Sequence, residues 1–398
     1  MAIKLSRYFL ILLPASLISG PLISEILMNL ISIFFLSHTI KNKMIKFYFK
    51  NKIVLLIFIF YIVCIFSSLN STELLFSLKT SIPYLRFLIF ALAVSWIIFT
   101  DESILQKVFF SFLFCYMLLI LFAFLEHFTG YNVIYGDQFR RDRLSSLFGD
   151  ELILGSYLSR FFPILIGLGL FYIKLYSKNV RYLFYIIIVT TPLIVFLSGE
   201  RTSFFFMIVG FLSSLLLLEL NSRFKFGFLL SVVVLIFGFL YFGDNVKKNT
   251  FERTLKQIKP SNSKIHFFSD EHEALAVSAI KIFKDNKILG SGPKTFRKKC
   301  KETKYEVKNV NQIFGCYTHP HNTYLQILAE TGIFGFLIIF ILLILIIYNL
   351  FKIFIQRLFC NKIKSSSIEI ACYLSFLISL FPVVPGANFF NNYINIIY

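Results

Sequence analysis

The run at residues 332–352, GIFGFLIIFILLILIIYNLFK, carries no charge until its closing Lys352. A helix of about 20 apolar residues rises about 30 Å, the thickness of a bilayer's hydrocarbon core. The run therefore predicts a membrane-spanning helix. Ten further runs predict the same, at about 7–20, 22–39, 53–70, 83–100, 104–126, 152–175, 182–199, 203–220, 226–242 and 368–386. The first two are short and meet at Gly20-Pro21, so a single broken element is their alternative. The chain reads as an all-α polytopic membrane protein of about eleven transmembrane helices. Residues 1–242 form an N-terminal bundle of about nine spans, 243–331 a large, partly helical loop, and 332–398 the C-terminal helices.

Composition agrees. The 398 residues are 57% hydrophobic and 15% charged, with 52 phenylalanines. A soluble chain carries about 25% charged residues. There are 40 basic against 21 acidic residues, a formal charge of +19. Such an excess suggests nucleic acid, but much of it sits in short loops between spans, where Lys and Arg set membrane orientation. Lys41–Lys52, Leu175–Arg181, Asn221–Lys225 and Phe351–Ser367 are basic, and only Thr100–Gln106 on that side is not. The opposite loop at Asn70–Ser81 has only Lys79, and that at 127–150 is mixed. No nucleic-acid partner is expected. The N-terminus is placed in the cytoplasm and the long segment outside, with membrane lipids around the spans. Lys4 and Arg7 precede a stretch broken by Pro14 and Pro21, which reads as a first membrane hairpin rather than a cleaved signal.

Within the long segment, Glu271–Asp285 predicts a short helix, with Leu275, Ala279 and Ile282 at helical spacing, and Gly290-Ser291-Gly292-Pro293 predicts a turn. Cys64, Cys115 and Cys372 lie in spans and Cys360 in a cytoplasmic loop. Cys300 and Cys316 are the two outside. They are disulfide candidates in an oxidising compartment, against the alternative of two free thiols.

The segment ends in THPHNTYLQILAETGIFG, residues 318–335. Asn322 suits an N-cap for a helix from Thr323. His321 then stands at the helix entrance, where backbone N–H groups receive anions. Leu325 and Leu328 are expected to anchor that helix, and Gly332 to end it. A histidine at such a surface can serve as general base or phosphate contact, or hold only a structural hydrogen bond. Ser198-Gly199-Glu200-Arg201-Thr202-Ser203 is a tight outer turn. Arg201 suits phosphate oxygens, against a mutual Glu200–Arg201 pair or snorkelling. Further cations are Arg143, Arg253, Lys256, Lys259, Lys294, Arg297, Lys298, Lys299 and Lys301, most of which a plain solvated face would explain. No spacing marks a zinc or P-loop site, and His319 and His321 lack a nearby Cys or carboxylate partner for a metal.

The stretch His321–Gly335 resembles the O-antigen ligase and O-antigen polymerase superfamily. That family shows His, then Asn, Ser or Gln, nine residues, Gly, two residues, then Gly, Thr or Tyr. His321, Asn322, Gly332 and Gly335 fill all four positions. A large outer loop, its Gly-x-Gly turn (Gly290, Gly292) and an Arg after a span end (Arg201) are also similar. The resemblance implies a metal-independent bacterial glycosyltransferase with no cofactor. It would move a glycan from a polyprenyl-diphosphate carrier to lipid A-core or a growing glycan at the periplasmic face of the inner membrane. His321 and Arg201 would be catalytic: the first a base or diphosphate contact, the second holding the diphosphate. Asn322, Arg143 and Arg297 are the accompanying candidates for substrate binding. The family often has a further loop arginine; here the similar stretch is Ser269–Glu273, so His272 or Arg253 would fill its place. The family usually has twelve spans, and this chain is expected to finish outside with Asn388, Asn391, Asn392 and Asn395. The alternative functions are a transporter or flippase of a lipid-linked anion, or a non-catalytic assembly partner.

Overall fold

The computed structural model describes residues 2–134, 136–137, 143–241, 270–307, 315–359, 365–382 and 384–397. Arg253, Lys256, Lys259 and Cys360 lie outside the described residues.

The chain is an all-α polytopic membrane protein. Its bundle helices are α1 (Ala2–Ile18), α2 (Pro21–Lys41), α4 (Lys52–Leu69), α6 (Leu85–Thr100), α7 (Ile104–Thr129), α8 (Leu154–Tyr172), α9 (Lys178–Leu197), α10 (Arg201–Leu217), α11 (Ser222–Tyr241), α14 (Thr323–Phe359) and α15 (Ser367–Ser379). Each coincides with one of the apolar runs. Short helices α3 (Ile45–Tyr48), α5 (Leu74–Ser81), α12 (Asp270–Asp285), α13 (Phe296–Lys299) and α16 (Asn392–Ile397) lie between or after them. Two-residue strands at Tyr131–Asn132 and Gly136–Asp137 pair antiparallel. Among the described residues, seven helical segments are long and apolar enough to cross a membrane, and α10 and α15 are shorter apolar helices.

Local chemistry sets several boundaries. Asn51 caps α4 by accepting from Ile53 N, and Ser366 caps α15 by accepting from Glu369 N. Gly130, in the left-handed region at φ 70°, ends α7.

Two expectations change. The stretch at 70–81 is not a loop but α5, continued through a 3-10 turn into α6. Its serines point inward, with Ser77 and Ser81 both hydrogen-bonded to Ser68 of α4. The last run does not continue to 386. Helix α15 stops at Ser379, and Pro382 and Pro385 follow, which cannot donate to a helical ladder. The chain then folds back, burying Phe389 and Phe390 against Phe60 and Tyr84, and α16 lies against α2.

Helix α8 is the centre, buried along most of its length and packed by α7, α9, α10 and α15. Lipid tails are as apolar as leucine, so packing and interhelical hydrogen bonds must hold such helices together. At Gly167 a Cβ would stand 2.4 Å from the Ala371 Cβ, so α15 approaches as closely as glycine permits. The Ser367 hydroxyl donates to the Gly167 carbonyl at 2.9 Å, Ser375 to Arg160 O at 2.7 Å and Tyr116 to Leu158 O at 2.7 Å.

The helices alternate in direction, so the basic loops gather at one end of the bundle. The other end carries α5, the 198–200 turn, α12, the 290–293 turn, the start of α14 and α16. There the outer segment has a small core of its own, in which Leu275, Ile282, Phe296 and Tyr305 pack beside Ala329. Cys300 and Cys316 join as a disulfide at its edge, with Cα atoms 5.1 Å apart.

Closing a loop of this length stabilises a segment by about 3 kcal/mol. Replacing Cys300 and Cys316 together by serine is expected to speed protease cutting within 286–330 while the bundle stays intact. Equal cutting rates with and without the two cysteines would refute that contribution.

Candidate active site

The site is built from the ends of α10, α12 and α14, joined by the Gly290–Pro293 turn. Asn322 starts α14 as its sequence predicts. Its Oδ1 accepts from Tyr324 N and Leu325 N, both at 3.0 Å, and its Nδ2 donates to Pro382 O at 2.8 Å. One amide hydrogen remains, so the residue chiefly positions the helix entrance. The anchoring face differs in part from expectation. Leu325 packs on the outer core as expected, but it and Leu328 are only partly buried, whereas Tyr324, Gln326, Ile327, Ala329 and Glu330 are buried. Two polar side chains share that face because the segment packed on it offers hydrogen bonds.

Glu330 shows how. Its carboxylate accepts from Lys294 N and Phe296 N, both at 2.9 Å, and from Gln326 Nε2 at 3.0 Å. Its carbonyl accepts from Gly292 N at 2.9 Å and Ser67 Oγ at 2.6 Å. The turn must approach closely for this. Gly290, Gly292 and Gly332 all have positive φ, and a Cβ on Gly290 would lie 2.4 Å from Glu330 C, or on Gly332 2.3 Å from Ile288 O. Gly332 also breaks α14, at φ 65° and ψ −164°, so the first turns of α14 belong to the site and the remainder to the span. Gly335 admits the Thr331 hydroxyl, which would stand 2.0 Å from any Cβ there.

The outer segment folds so as to gather three histidines. The rings of His319 and His321 lie 4.2 Å apart, and His272 on α12 is 5.5 Å from His321. His319 is buried between Gly386 O, 3.2 Å from Nε2, and the Thr318 hydroxyl, 3.0 Å from Nδ1. A carbonyl can only accept, so Nε2 carries the proton and Nδ1 accepts from Thr318. His321 has φ 52°, a left-handed conformation unusual outside glycine, and its carbonyl accepts from Gly386 N at 2.8 Å. Its ring packs on Tyr317 at 5.2 Å. Neither ring nitrogen hydrogen-bonds to a described residue, so both remain for a ligand.

Burial lowers His319 from the usual 6.5 to about 4, with His321 adding to the effect. Burial, then His272, lowers His321 to about 4 as well. His272 is also lowered, first by burial and partly by the Arg201 charge, which is opposed by Glu271. All three rings are therefore neutral near pH 7.

Glu200 does not spend its carboxylate on Arg201. It accepts from Gly155 N at 2.6 Å, Ser156 N at 3.1 Å and Ser203 Oγ at 2.7 Å. Burial raises its pKa, while those hydrogen bonds and the charges of Arg160 and Arg143 oppose the rise. Arg201 opens α10, its charge acts on His272, and that of Arg143 acts on Glu200. Arg297 lies near His319 and Glu330, and its Nε is buried without a hydrogen-bond partner among the described residues. The structure thus groups His272, His321, Arg201 and Arg297 around one region, with Arg143 at its edge.

Sequence reading passed over two arginines. Arg160 is buried inside α8, its guanidinium bonded to Ser156 Oγ and set over the Phe206 ring. A lone charge within an apolar run is itself a signal, because it is costly unless used. Arg86 on α6 pairs with Glu25 at 3.9 Å, and its charge reaches Lys294. Below the strap of residues 384–397 an apolar cavity of about 170 Å³ is lined by Phe60, Tyr84, Phe87, Leu88, Leu380 and Phe389.

Residues 183–341 match the O-antigen ligase family. Over this segment the chain is similar to the O-antigen ligase and polymerase superfamily. The matched segment runs from α9 into α14 and contains Arg201, His272, the Gly290–Gly292 turn and His321. No curated protein matches the sequence. At the family level the activity is O-antigen ligase-type glycan transfer in a membrane, between a lipid-linked glycan donor and an acceptor.

Two outcomes follow for this site. Gly332→Ala is expected to cost at least about 1–3 kcal/mol through backbone strain alone, read as a lower unfolding temperature. An unchanged temperature would refute the close docking of the turn. The unfolded chain protonates its histidines near 6.5, before His319 and His321 at about 4. Stability contributed by the neutral rings is therefore present above pH 6.5 and lost as the pH falls towards 4. The unfolding temperature should drop across that window less in His319→Gln/His321→Gln than in the parent. An equal drop would count against buried neutral rings.

Proposed function

We propose that the protein transfers a glycan from a polyprenyl-diphosphate carrier to lipid A-core or to a growing glycan, at the periplasmic face of the bacterial inner membrane, and that it needs no metal. The observation that carries this is His321, its ring nitrogens unengaged, standing with His272 and Arg201 at the end of the bundle opposite the basic loops. The excess of Lys and Arg at that opposite end supports a cytoplasmic assignment for it.

In this reading His321 takes the proton of the acceptor hydroxyl. The acceptor oxygen bonds to the anomeric carbon, the bond from that carbon to the carrier diphosphate breaks, and the diphosphate leaves with the electron pair. Arg201, assisted by Arg297 and Arg143, stabilises the charge growing on it. Arg253 is a further candidate for this cationic set. The apolar cavity under Phe389 offers a place for part of a lipid tail.

A ring with a pKa of about 4 is a weak base. An arriving diphosphate brings negative charge beside it, and a nearby opposite charge favours the protonated ring. Donor binding would therefore raise the basicity of His321 when it is needed.

The test is transfer by the purified protein from a polyprenyl-diphosphate glycan to lipid A-core or a lipid-linked repeat. His321→Ala and Arg201→Ala should each lose at least about a hundredfold in rate while remaining in the membrane. The acid limb of kcat/KM, which reports the free enzyme, should lie at lower pH than that of kcat. Full activity in both variants would overturn the assignment. Absence of transfer by the parent protein with either acceptor would leave the transporter reading in its place.

A further inference from the structure

At the end of the bundle remote from the histidines, α9 and α11 leave an open groove of about 890 Å³. Three cations stand at its mouth: Lys178 and Arg181 on α9, and Arg223 on α11. None of the lining residues is acidic. Among the described residues none of the three cations forms an ion pair. Both helices begin at this mouth, at Lys178 and Ser222, so their positive dipole ends converge there, with Ser177 Oγ and Asn221 Oδ1 capping Val180 N and Phe224 N.

The walls below are apolar. On α9, Tyr182, Ile186 and Val189 follow one another down one helix face; on α11, Phe226 and Leu230 do the same. Tyr182, Ile186 and Phe226 are 65%, 58% and 66% exposed. Gly227 lines the slot, and the nearest atom to a Cβ there would be Val189 Cγ2 at 3.9 Å, so the slot is open at that point. Lysines and arginines that only set orientation need no cleft beneath them. Here the cations cap a concave apolar slot at membrane depth, which is the profile of a phosphate headgroup above an acyl chain.

We propose that this groove binds an anionic phospholipid, its phosphate at Lys178, Arg181 and Arg223 and one acyl chain between the facing sides of α9 and α11. Headgroup charge selects the ligand and the slot retains it. The site is separate from the glycan-transfer region and does not depend on that activity.

Native mass spectrometry of the full chain, with phosphatidylglycerol and phosphatidylcholine supplied in detergent, tests this. The parent protein should retain phosphatidylglycerol about tenfold more tightly or better, given about 1 kcal/mol for each basic residue near anionic lipid. Lys178→Gln/Arg181→Gln/Arg223→Gln should lower that affinity to the phosphatidylcholine level. Gly227→Phe, and separately Ile186→Trp, keep the charge and fill the slot; each should lose phosphatidylglycerol. Ile186 is exposed, so its variant tests the slot even where Gly227→Phe does not fold. Equal retention of the two lipids by the parent would overturn the proposal. So would retention of phosphatidylglycerol by Ile186→Trp at the parent level, or its displacement by millimolar inorganic phosphate. The readout is lipid mass, so failure of the glycan-transfer reading leaves it untouched.

Discussion

Glu330 holds the outer segment to the bundle. A buried carboxylate costs several kcal/mol unless hydrogen bonds replace its water. Burial raises this one to a pKa of about 7, and Lys294 N, Phe296 N and Gln326 Nε2 meet it, so the turn after Gly292 cannot move away without stranding a buried carboxyl group. Its own carbonyl accepts from Ser67 on α4 and from Gly292 N. One residue thus ties α4, the glycine turn and α14 together. The groups of the candidate site are set out from it. Arg297 follows Phe296 directly, and His321 precedes the same short helical stretch that Glu330 closes.

The opposite wall repeats the device. Glu200 accepts from the first N–H groups of α8 and from Ser203, and the next residue is Arg201. A carboxylate satisfied by backbone donors neither needs nor neutralises the arginine beside it. Both walls therefore bury acids against peptide groups. The three histidines then sit in a partly dry region, and burial first of all keeps their rings neutral. An anion entering such a region opposes that effect by favouring the protonated ring.

Much of this was legible in the sequence, for physical reasons that differ by element. Spans were readable because hydrocarbon thickness fixes a length of uncharged residues, as at 332–352. Helix α12 and the Asn322 cap followed from spacing and side-chain chemistry local to a few residues. Helix α5 did not, because its serines look like turn residues until Ser68 supplies their partner from another helix. In the first turns of α14 Leu325 packs on the outer core as its spacing predicts, but the spacing does not show the polar part of the buried face. Gln326 and Glu330 are interior only because Lys294, Phe296, Asn388 and Phe389 come to them across the fold. Arg160 was readable and passed over: apart from Lys174 near its end, it is the one charge in the run 152–175. Arg253, outside the described residues, stays as the sequence left it.

The charge excess now divides into two populations with different physics. At the site end, Arg86, Arg143, Arg201, Lys294 and Arg297 lie among buried acids and histidines, where the local dielectric is low and each charge acts on its neighbours over several ångströms. At the far end, Lys178, Arg181 and Arg223 stand over an apolar slot with no acidic lining. Composition reports both as the same +19. What separates them is whether hydrogen-bonded carboxylates lie within reach. Helix α9 spans the distance between them, beginning among the cations of the groove and ending at the turn that places Glu200 and Arg201. Orientation in the membrane and construction of an anion-binding site therefore draw on the same residue types, and only the third dimension shows which task each one has.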